Sequence, residues 1–275
     1  MKANGISRQF VYKRQKALIK EQDIENDIIT KVLKAREQHR AMGSRVMFHH
    51  LGIETKGINK FEKIVSRNGL SVVLKRKRII TTDGLYEKSD INLINGLILN
   101  KINQVIAGDI TYLILDHITY YIFTLKDMYS KRIVGLYGSD TMLAVNAVKT
   151  LKQVIKTRKQ SINGCIHHSD AGSQYKSKAY KKVLKTNKIT MSIAEDCLQN
   201  GMAEQLNGVL KNSYMTNGIK SVRDLNKKLN EIKRLINQER PVKALGYKTP
   251  VEFEQWLKTQ QIPPKIKLYD FIKEK

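Results

Sequence analysis

The 275-residue sequence is short of cysteine, proline, tryptophan and acid. It has two cysteines, Cys165 and Cys197, one tryptophan, Trp256, and four prolines, all between residues 241 and 264. Two thiols cannot build a disulfide framework, and neither lies at a regular Cys/His ligand spacing, so both read as ordinary reduced thiols. The adjacent pairs His49-His50 and His167-His168 lack the CxxC or HxxxH spacing of a closed tetrahedral site, which argues against structural zinc. No stretch reaches the roughly 18 uncharged residues of a membrane span, and the opening MKANGISRQFVYKRQ has no apolar run of signal-peptide length. The expected location is therefore the cytoplasm, with no membrane partner. Acid is the scarcest class in relation to its counterpart: 25 Asp and Glu face 50 Lys and Arg, a formal charge of +25 distributed along the whole chain. Such a field attracts polyanions. Nucleic acid is preferred over an anionic membrane, because no basic amphipathic helix with Trp or Phe on its apolar face is evident in the sequence.

Hydrophobic spacing divides the rest. Residues 22–42 carry Ile24, Ile28, Ile29, Val32 and Leu33 at helical intervals, and segments 44–51 and 58–69 repeat that spacing between Gly43, Gly52 and Gly57. Short helices with glycine turns in a basic context predict a helix-turn-helix-like module over 1–70. Residues 71–102, with KRKRIITTDG, show no sustained period and are expected to form a basic linker. From 103 the pattern becomes QVIAGDITYLIL, ITYYIFTLKDM and KRIVGLYG, three β-rich runs that predict a meander. A helix is expected at 141–157, a strand at INGCIHH, a helix at 176–187, a strand at ITMSI and a helix at 200–215. This order implies an α/β core, with helices packed on a mixed sheet, over 103–215. Helical segments at 221–238 and 249–259 make a tail over 216–275, broken at Arg240-Pro241.

Three carboxylates stand out. Asp109 lies inside an apolar β run, where burying a charge is costly unless something positive binds it. Asp170 follows INGCIHH directly, at a strand end where active-site groups of open sheets gather. Glu204 is in NGMAEQLNGVLKNSY, on a helix whose Met202, Leu206 and Val209 can face a core. Converging carboxylates repel one another unless divalent cations neutralise them, and Mg²⁺ suits an all-oxygen site that also accepts phosphate oxygens. Two ions about 4 Å apart would serve an in-line phosphodiester transfer. On the lysine-rich helix, Lys176, Lys178, Lys181, Lys182 and Lys185 read as a solvated face or a phosphate stripe, with Ala179, Val183 and Leu184 expected to face inward.

The residues around these acids resemble a known family. GDITYL at 108–113, LKDMYSKRIVGLY at 125–137, HHSDAGSQY at 167–175, AEQLNGVLK at 203–211 and INQERPVKALGYKTPVEF at 236–253 occur in the order of the motifs of integrase-core DDE transposases. These proteins, relatives of retroviral integrase, are encoded by the second reading frame of bacterial insertion sequences of the IS-three group. GISRQFVYK at 5–13 is similar to the family's opening segment.

The resemblance implies an RNase H-like core of retroviral-integrase type with a mixed five-stranded sheet, preceded by a helical DNA-binding module and followed by a helical tail. It implies Asp109, Asp170 and Glu204 as catalytic residues and ligands of two Mg²⁺ or Mn²⁺ ions. Asp127 is then a non-catalytic acid, and Lys211, Lys178, Lys182 and Arg240 are DNA contacts. The implied activity is metal-dependent cleavage and strand transfer during transposition. Implied partners are element-end and target DNA, further copies of the chain on DNA, and an upstream-frame helix-turn-helix protein as fusion or partner, in a nucleoid-associated setting.

Several positions depart from the family pattern. There are 33 residues between Asp170 and Glu204, the loop before the glutamate reads DCLQNG at 196–201, Gly108 replaces a Thr or Ser, and Val242 replaces a histidine. A catalytically decayed DNA-binding regulator of transposition is therefore the alternative to an active transposase. A structure-specific nuclease on the same fold is a further one, against which the tail motif argues.

Overall fold

A computed structural model describes residues 7–73, 91–115, 117–194, 201–215 and 218–268, with backbone only at 160 and 201–204. The run KRKR and the rest of 74–90, together with Cys197 and nearly all of DCLQNG, lie outside the described residues. The chain divides into two compact units, 1–75 and 76–275.

The first unit is helical: α1 (Arg8–Gln38), α2 (Ser44–Leu51) and α3 (Ile58–Arg67). Its core joins Ile28 and Val32 of α1 to Met42, Met47, Phe61, Ile64 and Val65. Gly52, at φ 57, ends α2 in the left-handed conformation that glycine adopts without a Cβ penalty. Residues 52–57 join α2 to α3, a longer connection than the three- or four-residue turn of a helix-turn-helix. Helix α1 begins fourteen residues before the expected start at 22. Residues 8–23 are exposed throughout, so no buried face marked them as helical in the sequence.

The second unit contains β1 (Ile98–Leu99), β2 (Val105–Leu115), β3 (Ile118–Asp127), β4 (Ile133–Ser139), α4 (Ala144–Arg158), β5 (Ile166–Ser169), α5 (Ser173–Lys176), α6 (Lys178–Thr186), β6 (Thr190–Ile193), α7 (Gly201–Val209), α8 (Val222–Gln238), α9 (Pro250–Leu257) and β7 (Ile266–Lys267). The five-stranded sheet runs β4-β3-β2-β5-β6; β2, β3 and β4 form an antiparallel meander, and β5 and β6 run parallel to β2. This strand order, with helices on both faces, is the RNase H-like arrangement. One face is covered by α4, α5 and α6 through Phe123, Leu125, Leu151, Tyr175 and Tyr180. The other is covered by α7 and α8 through Ile122, Leu136, Leu206, Leu210, Leu225 and Leu229.

Two elements correct the sequence reading. Within the expected linker, Ile94 and Leu99 are buried, and β1 pairs with β7 of the tail. A two-residue strand has no periodicity to read, and its partner is far away in sequence. The helix expected at 176–187 is two helices, because Ser177 ends one and caps the next. Its hydroxyl donates to the Gln174 carbonyl at 2.9 Å and accepts from the Tyr180 amide at 3.2 Å.

Strand β4 lies at the sheet edge, and side-chain amides clothe it. Asn237 pairs with both the amide and the carbonyl of Ile133, each at 2.9 Å. Gln153 does the same for Leu136 at 3.1 Å each, and Asn226 for Gly138 at 3.0 and 2.8 Å. At Gly138 a Cβ would collide with Leu225, so glycine is what lets α8 approach the edge. The tail is pinned through Glu254 of α9. It accepts from Arg158 at 2.6 and 3.1 Å, from Arg132 at 2.5 Å and from the Ser130 hydroxyl at 2.8 Å. Burial opposes ionisation of Glu254, but these partners, Arg158 foremost, hold its pKa below the ordinary value.

Candidate active site

Asp109 sits midway along β2, opposite Thr124 of β3, whose hydroxyl donates to the Asp109 carbonyl at 3.1 Å. Its carboxylate accepts from the Ile110 amide at 2.9 Å and from Asn207 Nδ2 of α7 at 2.5 Å. Asp170 is the first residue after β5. The parallel register pairs Ala107 with His168, so two residues further on Asp109 and Asp170 stand abreast where the strands part. Burial raises the Asp170 pKa, with a bond from the Gly172 amide at 3.2 Å acting against it. Beneath them the Tyr175 hydroxyl is pushed well above its ordinary value, by burial first, then by Tyr180 and by the charges of both Asp109 and Asp170. A single buried phenol thus feels both carboxylates.

The space around Gly108 explains one departure from the family pattern. A Cβ there would lie 2.7 Å from His167 Cε1, 3.0 Å from Leu125 Cδ2 and 3.3 Å from Tyr175 Oη. The site usually taken by Thr or Ser is filled from the far side by a cluster of rings. His167, Tyr175 and Tyr180 have centroids 5.4 to 5.5 Å apart, and the Tyr180 hydroxyl meets His167 Nε2 at 3.0 Å. Burial drives the His167 pKa down to about 3, so this imidazole is neutral and structural. His168 is fully buried, with Nδ1 on the Ser192 hydroxyl at 2.9 Å, which makes it a packed strand-end histidine. Gln174 donates to the Met142 carbonyl at 3.1 Å, and Ser173 opens α5.

Helix α7 brings the third element. Glu204 lies in it three residues before Asn207, an interval that puts two positions on one helix face; the Glu204 side chain lies outside the described residues. The α-helix ends at Val209 and a single π-helical turn follows over Leu210–Tyr214, where the sequence predicted one uninterrupted helix. That wide turn lets Leu210, Ser213 and Tyr214 all face inward. Lys211 stands half-buried in it, 5.0 Å above the Tyr112 ring. Burial lowers its pKa, and the Asp109 charge partly counteracts this.

The other predicted contacts are dispersed. Lys178, Lys181, Lys182 and Lys185 are exposed on α6, but so is Ala179, and Tyr180 takes the inward position expected of it. Asp127 is fully buried and accepts from the amides of Asn103 at 2.6 Å and of Tyr129 and Ser130 at 2.9 Å, a purely structural role. Arg240 is half-buried, hydrogen-bonded to Tyr214, with one guanidinium nitrogen enclosed and unpaired.

Among the described residues no group of three His, Cys, Asp or Glu side chains gathers as a metal site. The two aspartates nevertheless suit a divalent ion. They offer only oxygen, which favours Mg²⁺ or Mn²⁺ over Zn²⁺, and Asp170 is disfavoured as a bare charge. The Asn207 Oδ1 beside them is buried without a hydrogen-bond partner. Asn207 and the ring cluster went unnoticed in the sequence. The interval from Glu204 to Asn207 was the available signal for the first, whereas nothing local announced the second.

Comparisons with known proteins identify the family. A family model described as "Integrase core domain" matches residues 100–196, and a second model of the same description matches 186–250. The chain is 29% identical over 182 residues to the "Transposase for insertion sequence element IS629" of Shigella sonnei, covering 64% of this chain and 60% of that protein. It is 29% identical over 136 residues to the "Putative transposase for insertion sequence element IS986/IS6110" of Mycobacterium tuberculosis (strain ATCC 25177 / H37Ra), covering 46% and 49%. The chain thus spans 60% and about half of the lengths of these curated relatives. A structure of the HTLV-2 integrase catalytic core domain in complex with magnesium, in trimeric form, aligns with a TM-score of 0.44 at 18% identity, over 59% of this chain and 99% of that one. With two integrase-core models together running through residues 100–250, more than half of the chain, the chain belongs to the integrase-core family.

Proposed function

We propose that the chain is a DDE-type transposase that cuts DNA at the ends of an insertion sequence and joins the freed 3′ end to target DNA. The observation that carries this reading is the pair Asp109, on β2, and Asp170, directly after the adjacent parallel strand β5, both felt by Tyr175. Asp109, Asp170 and Glu204 are the catalytic residues and would hold two divalent ions. Such ions, when bound, activate a water or 3′-hydroxyl and stabilise the leaving oxygen. Asn207 fixes the Asp109 carboxylate through its Nδ2, so that the other carboxylate lone pairs stay turned to the ligand side. Lys211, beside Asp109, is suited to a phosphate next to the scissile bond. Lys178 and Lys182 follow the backbone further out, and the outer edge of Arg240 adds a contact in the tail. Residues 1–70 would form the DNA-binding module, 71–102 the connection, of which Ile98–Leu99 pair with the tail, 103–215 the catalytic core and 216–275 the tail.

The proposed partners are element-end and target DNA, other copies of the chain on that DNA, and an upstream-frame helix-turn-helix protein. The proposed setting is the bacterial cytoplasm at the nucleoid. No helix among the described residues is long and apolar enough to cross a membrane.

The test is nicking of an element-end duplex by the purified chain. Cutting that requires Mg²⁺ or Mn²⁺ and falls at least a thousandfold (about 4 kcal/mol) in Asp109→Asn, Asp170→Asn and Glu204→Gln is expected. Tight end binding without cutting by the unaltered chain would instead establish the decayed regulator.

A further inference from the structure

Helices α4, α5 and α6 bury Ile106, Phe123 and Leu125 on one face of the sheet, but further along the strands that face re-emerges. Three tyrosines lie there. Tyr112 of β2 stands opposite Tyr121 of β3, and Tyr137 of β4 stands opposite Phe123, two residues along from Tyr121. Directly opposed residues share a face, as do residues two apart on one strand, so the three rings cross three adjacent strands in a row. Phe123 is fully buried, whereas Tyr121 and Tyr137 are half-buried and Tyr112 is exposed. Ile114, two residues beyond Tyr112 on the same face, is 61% exposed.

Half-buried tyrosines are ordinary in strands, so the row gains meaning from its surroundings. A lysine lies over the ring at each end. Lys211, from the turn after α7, is 5.0 Å from the Tyr112 centroid, and Lys149 of α4 is 5.2 Å from that of Tyr137. Lys149 also donates to the Tyr137 hydroxyl at 3.3 Å. One end of the row adjoins the candidate acids: Tyr112 is three residues past Asp109, about 10 Å along the strand. Strand β5 pairs with β2 only over Val105–Ala107, so among the described residues no strand flanks β2 on that side at Tyr112.

We propose that Tyr112, Tyr121 and Tyr137 are a stacking platform for two or three unpaired bases of a DNA strand passing the Asp109–Asp170 site, with Lys211 and Lys149 on its phosphates. Only an unpaired strand offers base faces to a sheet, since in a duplex they are covered by their neighbours. The three strands spread the rings over about 10 Å, a width on which the sheets of single-strand-binding proteins stack two or three bases. A base stacks on a ring more strongly than an exposed ammonium does, so it takes the ring and releases the lysine to the neighbouring phosphate. A protein partner would instead have to cover two ammonium groups. The rings accept any base, so the platform imposes little sequence preference. The origin of the strand, freed at an element end, rests on the transposase reading; stacking itself needs neither metal nor cutting.

The experiment uses the full-length chain in EDTA, with a short oligothymidine and an element-end duplex as separate probes. Tyr112→Ala and Tyr137→Leu should each weaken single-strand binding about tenfold, Tyr112→Phe should leave it within about twofold, and duplex binding should stay unchanged. Tyr112 is exposed, so its variants should melt with the parent. On the unaltered chain, irradiation of the same strand carrying 5-iodouracil should cross-link Tyr112, Tyr121 or Tyr137. Equal single-strand affinity of Tyr112→Ala and the parent, an equal loss in Tyr112→Phe, or cross-links confined to other residues would overturn the proposal. So would a parent that binds no single strand, or one that dimerises through this face and loses the dimer, but not the single strand, in Tyr112→Ala. A parent that stacks the strand yet never nicks the end with Mg²⁺ would leave the platform standing and remove the transposase reading; nicking without tyrosine dependence would do the reverse.

Discussion

His167 shows how one buried ring shapes the candidate site and its response to acid. Its folded pKa of about 3 lies far below the ordinary 6.5, so its contribution to stability is complete above pH 6.5 and is lost as pH falls towards 3. The loss should approach about 1.4 kcal/mol per pH unit inside that window. Asp170 and Asp127, raised by burial, act in the opposite sense, gaining on acidification. Denaturant unfolding of the parent and of His167→Gln between pH 7 and 4 isolates the imidazole; parallel profiles would refute its assignment. The same ring excludes a side chain at Gly108. Gly108→Thr should cost about 1–3 kcal/mol by overpacking, and His167→Ala in the same chain should recover part of it. Equal stability of Gly108→Thr and the parent would mean that the space is larger than it looks. Asp109 stood out in the sequence because charge inside an apolar strand is costly, whereas Asp170 and Glu204 stood out through a strand end, a helix and the motifs around them. Asn207 did not, because an amide on a helix carries no such signal.

Among the elements, α8 fixes the edge strand by two asparagines one above the other on its length. Asn237→Ala leaves the amide and carbonyl of Ile133 buried without partners, a cost of about 1–3 kcal/mol. Thermal or chemical unfolding measures it; a loss below a few tenths of a kcal/mol would show that water replaces the amide. Helices α4 and α8 and the meander were readable, since each buries one face and so imprints a period. The pairing of β1 with β7, the break at Ser177 and the π-helical turn after Val209 were hidden, because each depends on one or two residues meeting distant partners. The exposed half of α1 was hidden for the opposite reason, having no buried face at all.

For the whole molecule, charge sets the expectation. With a formal +25, binding to duplex DNA should weaken steeply as salt rises, log Kobs falling linearly with log salt. If Lys178 and Lys182 each neutralise a phosphate, Lys178→Ala and Lys182→Ala should each flatten that slope by about 1, almost regardless of DNA sequence. Slopes unchanged from the parent would return α6 to the solvent.

The amide-clothed margin of β4 has a consequence for crowding. Chains gathered at high local concentration on one DNA segment meet edge to edge, the situation in which exposed strands zip into extended ribbons. Here every outward main-chain group of Ile133, Leu136 and Gly138 is already spoken for by a neighbouring helix. On that flank the sheet cannot grow, so copies brought together there are free to associate through helices and nucleic acid without fusing into fibres along it.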